Sequence, residues 1–137
     1  MIPLDEITVL IGELASAIGL ATPPPRDDGG YRIILGEDTD VLIYVGNDET
    51  ILVIVPIMKL PFQSDYAVAL YLLRVNMIDS PIEPFRAAAD AAGGLVLWAR
   101  LPIARLDGPS LAALTSALVE YVTDIRKELE GRIAEIA

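Results

Sequence analysis

Apolar residues in this chain follow two spacings, one helical and one alternating, and the switches between them outline its elements. Over residues 4–19, Ile7, Leu10, Ile11, Leu14 and Ile18 recur every three or four positions, while Glu6, Glu13 and Ser16 fall elsewhere. That spacing predicts an amphipathic helix. Asp5 suits a cap or first-turn acid, and Gly19-Leu20 suits a left-handed stop with a hydrophobic clasp. ATPPPRDDGG, residues 21–30, is a loop, because its three prolines forbid regular pairing and Asp28-Gly29-Gly30 favours a turn. Three strands follow, at Tyr31 to Leu35, Val41 to Val45 and Ile51 to Ile57, joined by turn-rich hairpin connections over 36–40 and 46–50.

A second helix is expected from about Asp65 to Met77, capped by Ser64 or Asp65. Val68, Leu72 and Val75 make one apolar stripe on it, and Tyr66, Leu70, Leu73 and Met77 make another. Pro81 and Pro84 end that unit. PFRAAADAA and LVLWARLPI read as two more strands, with Gly93-Gly94 as a two-residue hairpin turn. A long helix then starts at Asp107 or Gly108, with Pro109 in a permitted first-turn position. Leu111, Leu114, Leu118, Val122, Ile125 and Leu129 form its stripe, and its mixed-charge last turns are expected to fray. The order α-β-β-β-α-β-β-α predicts an α+β domain, an antiparallel sheet packed with helices, spanning residues 1–137.

Three of these elements carry more apolar surface than one core needs. VLIYV and ILVIV have no charge on either strand face, although antiparallel sheets in small soluble proteins commonly leave one face polar. The second helix is apolar on two sides, so each side requires cover. Composition agrees, with 53% hydrophobic residues in 137 and a mean hydropathy of +0.50. Oligomerisation, a hydrophobic client or an unusually apolar monomeric core would each account for the excess.

Charge narrows the partners. The net charge is −10 and only Lys59 and Lys127 supplement scattered arginines, so the basic run that nucleic acid or an anionic membrane needs is missing. Acidity of this size keeps a greasy chain soluble through self-repulsion. The first 21 residues superficially resemble a secretory signal but lack a basic start and carry Asp5, Glu6 and Glu13. No stretch approaches the roughly 18 uninterrupted apolar residues of a membrane span. A soluble intracellular protein is expected.

Catalytic chemistry has little material. There is no histidine and no cysteine, which removes the usual general base, the thiol nucleophile and the common soft metal ligands. Glu37, Asp38 and Asp40, with Asp48 and Glu49, offer carboxylates for a hard cation, but they fall at hairpin tips and lack an EF-hand spacing. The glycine pairs make no phosphate-binding loop, and no serine has a nucleophile-elbow context. Trp98, Tyr31, Tyr44 and Phe85 suit either an aromatic cage or the core. Arg74, alone on an oily helix, suits either an interfacial ion pair or a side chain reaching for water. No cofactor or metal is expected.

Three stretches resemble a known family. YLLRVNM, residues 71–77, is similar to the second helix of the class I type III secretion chaperones, the family of the Tir chaperone. GGLVLWARLPIARLD, residues 93–107, resembles that family's last hairpin strand, the acidic residue after it and the start of the final helix. The amphipathic first helix, small size and low pI are similar too, whereas the PPP loop and alanine-rich fourth strand depart. The resemblance implies a bacterial cytoplasmic homodimer without enzymatic activity, which holds the N-terminal segment of a secreted effector extended until export, often as a strand added to a sheet edge. It implies a dimer contact through Val68, Leu72, Leu73, Arg74 and Met77. It further implies partner binding by Ile7 and Leu10 on the first helix and by Ile33, Leu42, Tyr44, Leu52 and Ile54 on the sheet. The rival readings are a carrier of a small lipid-like ligand, with an apolar pocket between sheet and helices, and a carboxylate enzyme using Asp38 and Asp40.

Overall fold

The computed structural model describes residues 4–35, 39–46, 49–60, 66–77, 80 and 82–136. Its strands are β1 (Tyr31–Leu35), β2 (Thr39–Val45), β3 (Thr50–Lys59), β4 (Arg86–Ala89) and β5 (Gly94–Pro102). Its helices are α1 (Leu4–Ala17), α2 (Tyr66–Val75) and α3 (Gly108–Ile136), with a short 3-10 turn at Ile103–Arg105. The strands form one antiparallel sheet in the order β1-β2-β3-β5-β4. The expected caps Ser64 and Asp65, and the carboxylates of Glu37, Asp38 and Asp48, lie outside the described residues, as do the side chains of Asp5 and Tyr66.

One sheet face is dry. Ile33, Val41, Ile43, Ile51, Val53, Val55, Leu95, Leu97 and Ala99 alternate inward and join one buried cluster with Ile11 and Leu14 of α1 and the α3 stripe Leu111, Leu118, Val122, Ile125 and Leu129. α3 crosses over β2 and β3, and α1 packs alongside it. Burial of each such Leu or Ile contributes about 1.5–3 kcal/mol of transfer free energy, which makes this layer the main source of stability.

Helix ends follow the expected chemistry. Gly19 has φ +76°, and Leu20 N donates to Ala15 O while Gly19 N donates to Ser16 O, the paired bonds that close a left-handed helix stop. α3 opens with Ser110 N donating to Asp107 Oδ1 at 2.8 Å, and its mixed-charge last turns stay helical through Ile136. Gly108 sits where α3 meets α1. Its N donates to Glu13 Oε2 at 3.1 Å, and a Cβ there would come within 2.3 Å of Glu13 Cβ and 2.9 Å of its backbone carbon.

Two connections differ from the sequence expectation. The connection between β4 and β5 is four residues, 90–93, because Gly94 already pairs with Lys59 in the sheet. Asp90 Oδ1 accepts from Ala92 N and Gly94 N, and Gly93 takes φ +85°, the geometry of a turn closed by a left-handed glycine. Ala91 and Ala92 thereby leave the strand. Further along, β3 continues past Pro56 to Lys59, but its ladder with β2 ends at Leu42↔Ile54. A bulge between Pro56 and Met58 shifts the register against β5, and Arg126 of α3 fills the Ile57 carbonyl through Nε at 3.2 Å and Nη2 at 2.9 Å.

The Gly108 contact makes a test of the α1–α3 packing. Because the intruding methyl would meet helix backbone, Gly108→Ala is expected to lower stability by about 1–3 kcal/mol despite its gain in helix propensity. Urea denaturation measures this, and an unchanged midpoint would contradict the close approach.

Candidate partner-binding site

The second sheet face is where the chain's surplus of apolar residues comes to lie. Residue pairing places Arg32, Leu42, Ile54, Trp98 and Arg86 in one row across all five strands. Leu52 and Arg100 stand beside Tyr44 in the next row. Leu42, Leu52, Ile54, Val96 and Trp98 are half-buried by their neighbours alone. Both α1 and α3 lie on the opposite face. Arg32 at one end pairs with Asp40 at 3.0 Å, and Arg86 at the other reaches Glu83 at 3.4 Å. Exposed pairs of this kind add little stability, so the row is an apolar strip with polar ends.

Tyr44 is already engaged. Its ring lies over Gly30, where a Cβ would come within 2.6 Å of it. Its hydroxyl donates to Asp28 Oδ2 at 3.1 Å and accepts from Arg26 Nη1 at 3.5 Å. Asp28 Oδ1 in turn accepts from Gly30 N at 2.9 Å. The Gly30 N–H, then the Tyr44 hydroxyl and the Arg26 charge, hold the Asp28 carboxyl below its ordinary value. The proline-rich loop is thus fastened to β2 through one tyrosine.

The two sheet edges are unlike. Among the described residues β1 has a strand on one side only. A groove of about 280 Å³ runs beside it, lined by Leu20, Ala21, Pro23, Arg32, Ile33 and Ile34. Leu20 and Ile34 are 44% and 49% exposed. At the far edge, Asn76, one residue past α2, donates from Nδ2 to Ala87 O at 2.9 Å and accepts from Ala87 N at 2.7 Å. β4 is therefore covered at its middle.

α2 divides its residues between core and surface. Val68 is 1% exposed, and Tyr71, Leu72 and Val75 pack against the core. Tyr71 lies under Arg132 at 4.9 Å; burial, with Glu128 and Asp124 nearby, raises its phenol pKa against the opposing pull of Arg132. Leu73 and Met77 are 68% and 62% exposed, and Arg74 is exposed beside them. A second apolar groove, between α1 and the 3-10 turn, is lined by Val9, Leu10, Ile103, Ala104 and Leu106.

The residues implied by resemblance therefore separate into two groups. Leu73 and Arg74 on α2, with Met77 just past its end, are exposed, and Leu42, Leu52 and Ile54 share the sheet face away from α1 and α3. Ile7 and Val68 are buried in the core, and so are Ile33 and Leu10, each of which also borders a groove, because the inward phase of each element is the one its own sheet and helices require. Tyr31 and Phe85 are also buried, so they form no cage with Tyr44 and Trp98. Sequence reasoning missed Ile34, Leu20 and Asn76. Arg32 marks the outward phase of β1 and so points to Ile34; nothing local marks Asn76, whose partner lies eleven residues away. Among the described residues no group of acids is placed to hold a metal ion, and no helix is long and apolar enough to cross a membrane.

These surfaces occur on a shared scaffold. The family model of the Tir chaperone protein (CesT) family matches residues 9–126. A chain of the heterodimeric ExoU–SpcU complex from the type III secretion system of Pseudomonas aeruginosa is 29% identical, with 86% of this chain and 95% of that chain covered and a TM-score of 0.71. A chain of the Yersinia pestis type III secretion chaperone SycH in complex with a fragment of YscM2 is 25% identical, with 86% and 98% covered and a TM-score of 0.69. The fold alone is shared with a chain of the ExsC–ExsE complex, at 16% identity, 94% and 97% coverage and a TM-score of 0.74. No match is found among curated proteins.

The loop fastening gives a spectroscopic test. Tyr44→Phe removes a bond to the ionised Asp28, so the Asp28 pKa should rise toward its ordinary value while the fold persists. Because that pKa is lowered in the folded state, the bond's stabilisation is present at neutral pH and disappears as pH falls through the folded carboxylate range. NMR titration of the Asp28 carboxyl reads the change, and an unmoved pKa would show that Tyr44 does not hold the loop.

Proposed function

The chain belongs to the Tir chaperone protein (CesT) family, and from that premise we propose that it is a dimeric, non-enzymatic type III secretion chaperone of the bacterial cytoplasm. It holds the N-terminal segment of an effector extended and export-competent. The observation that carries this reading is the open β1 edge beside an apolar groove. Such an edge supplies main-chain hydrogen bonds to an incoming segment regardless of its sequence, while the groove takes alternate side chains. Ile34 and Leu20 supply apolar contacts there, and Leu42, Leu52, Ile54 and Trp98 extend the apolar surface across the sheet.

Affinity of this kind is a difference between large terms. Ordering a flexible segment costs about 2–5 kcal/mol or more of the gross interaction. Each side chain that becomes fully buried returns about 1.5–3 kcal/mol, so four or five anchors offset that cost. No chemical step is needed, which suits a chain without histidine or cysteine.

The second copy is proposed to pack on the exposed side of α2, through Leu73, Arg74 and Met77, with Leu72 at the margin. Two large apolar side chains more than 60% exposed, Leu73 on α2 and Met77 just past its end, support this. The lipid-carrier reading gains no support, since the layer between sheet and helices is filled by side chains with almost no exposure and the grooves lie outside it.

Two measurements test the proposal. Sedimentation should give a dimer at micromolar concentration, and Leu73→Glu should yield folded monomers, because that site is exposed in the protomer. Val68→Glu should instead unfold the chain, since it buries an unpaired charge in the core. A wild-type monomer would defeat the dimer. For the client, the polypeptide that co-purifies from the native cell should be reduced at least tenfold, on the order of the 1.4 kcal/mol that one lost anchor represents, by Ile34→Asp with the dimer intact. Undiminished co-purification would remove the β1 groove from the binding surface.

A further inference from the structure

The two edges of the sheet are treated differently, and the difference rests on one side chain. Asn76 presents its amide to both backbone groups of Ala87, donating to the carbonyl at 2.9 Å and accepting from the N–H at 2.7 Å. That is the bonding a neighbouring antiparallel strand offers the residue it faces. The asparagine amide thus behaves as a strand one residue long. Both bonds fix its orientation, oxygen toward N–H and nitrogen toward carbonyl.

β4 has only four residues, Arg86–Ala89, and β5 occupies its other side. Ala87 is at the middle of the outward edge, so the pair of bonds there interrupts any continuous ladder a second strand would need. Among the described residues β1 has no such guard. It is five residues long, and its outer side adjoins the apolar groove of Leu20, Pro23 and Ile34. An open strand edge is a template for whatever extended chain arrives, including another copy of the same protein.

We propose that Asn76 is the positioning residue that decides which edge accepts a strand, closing β4 so that β1 receives the client. This rests on the reading that a client segment is held as an added strand. A chaperone with two open edges would join copies of itself edge to edge, or take two segments in unrelated registers. Closing one edge with a side chain from the turn that follows α2 avoids both without lengthening the sheet. It also ties the C-terminal end of α2, which bears Leu73, to the sheet, through Asn76 N donating to Leu73 O and the amide pair on Ala87.

The test needs no client. Asn76→Ala should open β4, giving concentration-dependent association beyond the wild-type state in sedimentation and at least tenfold faster hydrogen exchange at the Ala87 amide. Adding Ala87→Pro should reverse the association. The Ala87 N–H points away from β5, so proline removes the outward donor and fills the vacated space while sparing the β4–β5 ladder. Simple loss of the α2 tether would not be repaired by that second change. Association that survives Ala87→Pro, or no association in a folded Asn76→Ala, would overturn the proposal. If Asn76→Ala does not fold, wild-type exchange decides. The Ala87 amide should then exchange at least tenfold more slowly than the outward amides of β1, and equal rates would refute the guard. Failure here counts against Asn76 alone, whereas failure of Ile34→Asp to reduce client capture counts against the client site.

Discussion

Everything in this fold depends on covering a sheet that is apolar on both faces with helices enough for only one. α3 and α1 seal the face made by Ile33, Val41, Ile43, Val53, Val55 and Leu97. Transfer of that surface from water outweighs any other interaction in the chain. Once both long helices are committed there, Leu42, Leu52, Ile54 and Trp98 remain half-covered. The binding capacity of the protein is the remainder of its folding problem.

The remaining polar contacts organise this arrangement more than they stabilise it. Arg126 fills the carbonyl freed by the β3 bulge, Glu13 accepts the N–H of Gly108, and Asn76 completes Ala87. Each serves a backbone group that a helix end or strand edge leaves without a regular partner, and an unsatisfied group of that kind costs more than the bond nominally contributes. The surface ion pairs contribute less. Arg32–Asp40 and Arg132–Glu128 lie where solvent and salt screen them.

The proposed capture of an extended segment follows from the same geometry. An extended segment needs main-chain partners and shallow apolar depressions rather than a pocket with a tuned acid or base. The chain supplies a bare edge at β1, a groove next to it and a greasy sheet surface. α2, with Val68 inward and Leu73 outward, joins the domain's core to a surface suited to a second copy.

By itself the sequence determined the elements, their order and the existence of surplus apolar surface, because periodicity, proline and glycine act locally. The α1 stop at Gly19, the Tyr31–Leu35 strand and the Asp107–Gly108 start of α3 needed no knowledge of the rest of the chain. Which apolar residue faces which neighbour was decided only in three dimensions. VLIYV and ILVIV read the same in either phase, and the helices above them select the inward one; Ile7, Leu10, Ile33 and Val68 went to the core for that reason. The hairpin before β5 moved because Asp90 could cap two N–H groups at once. Asn76 acquired its role from a strand that the chain reaches only after a further turn, and no spacing in the sequence encodes that meeting.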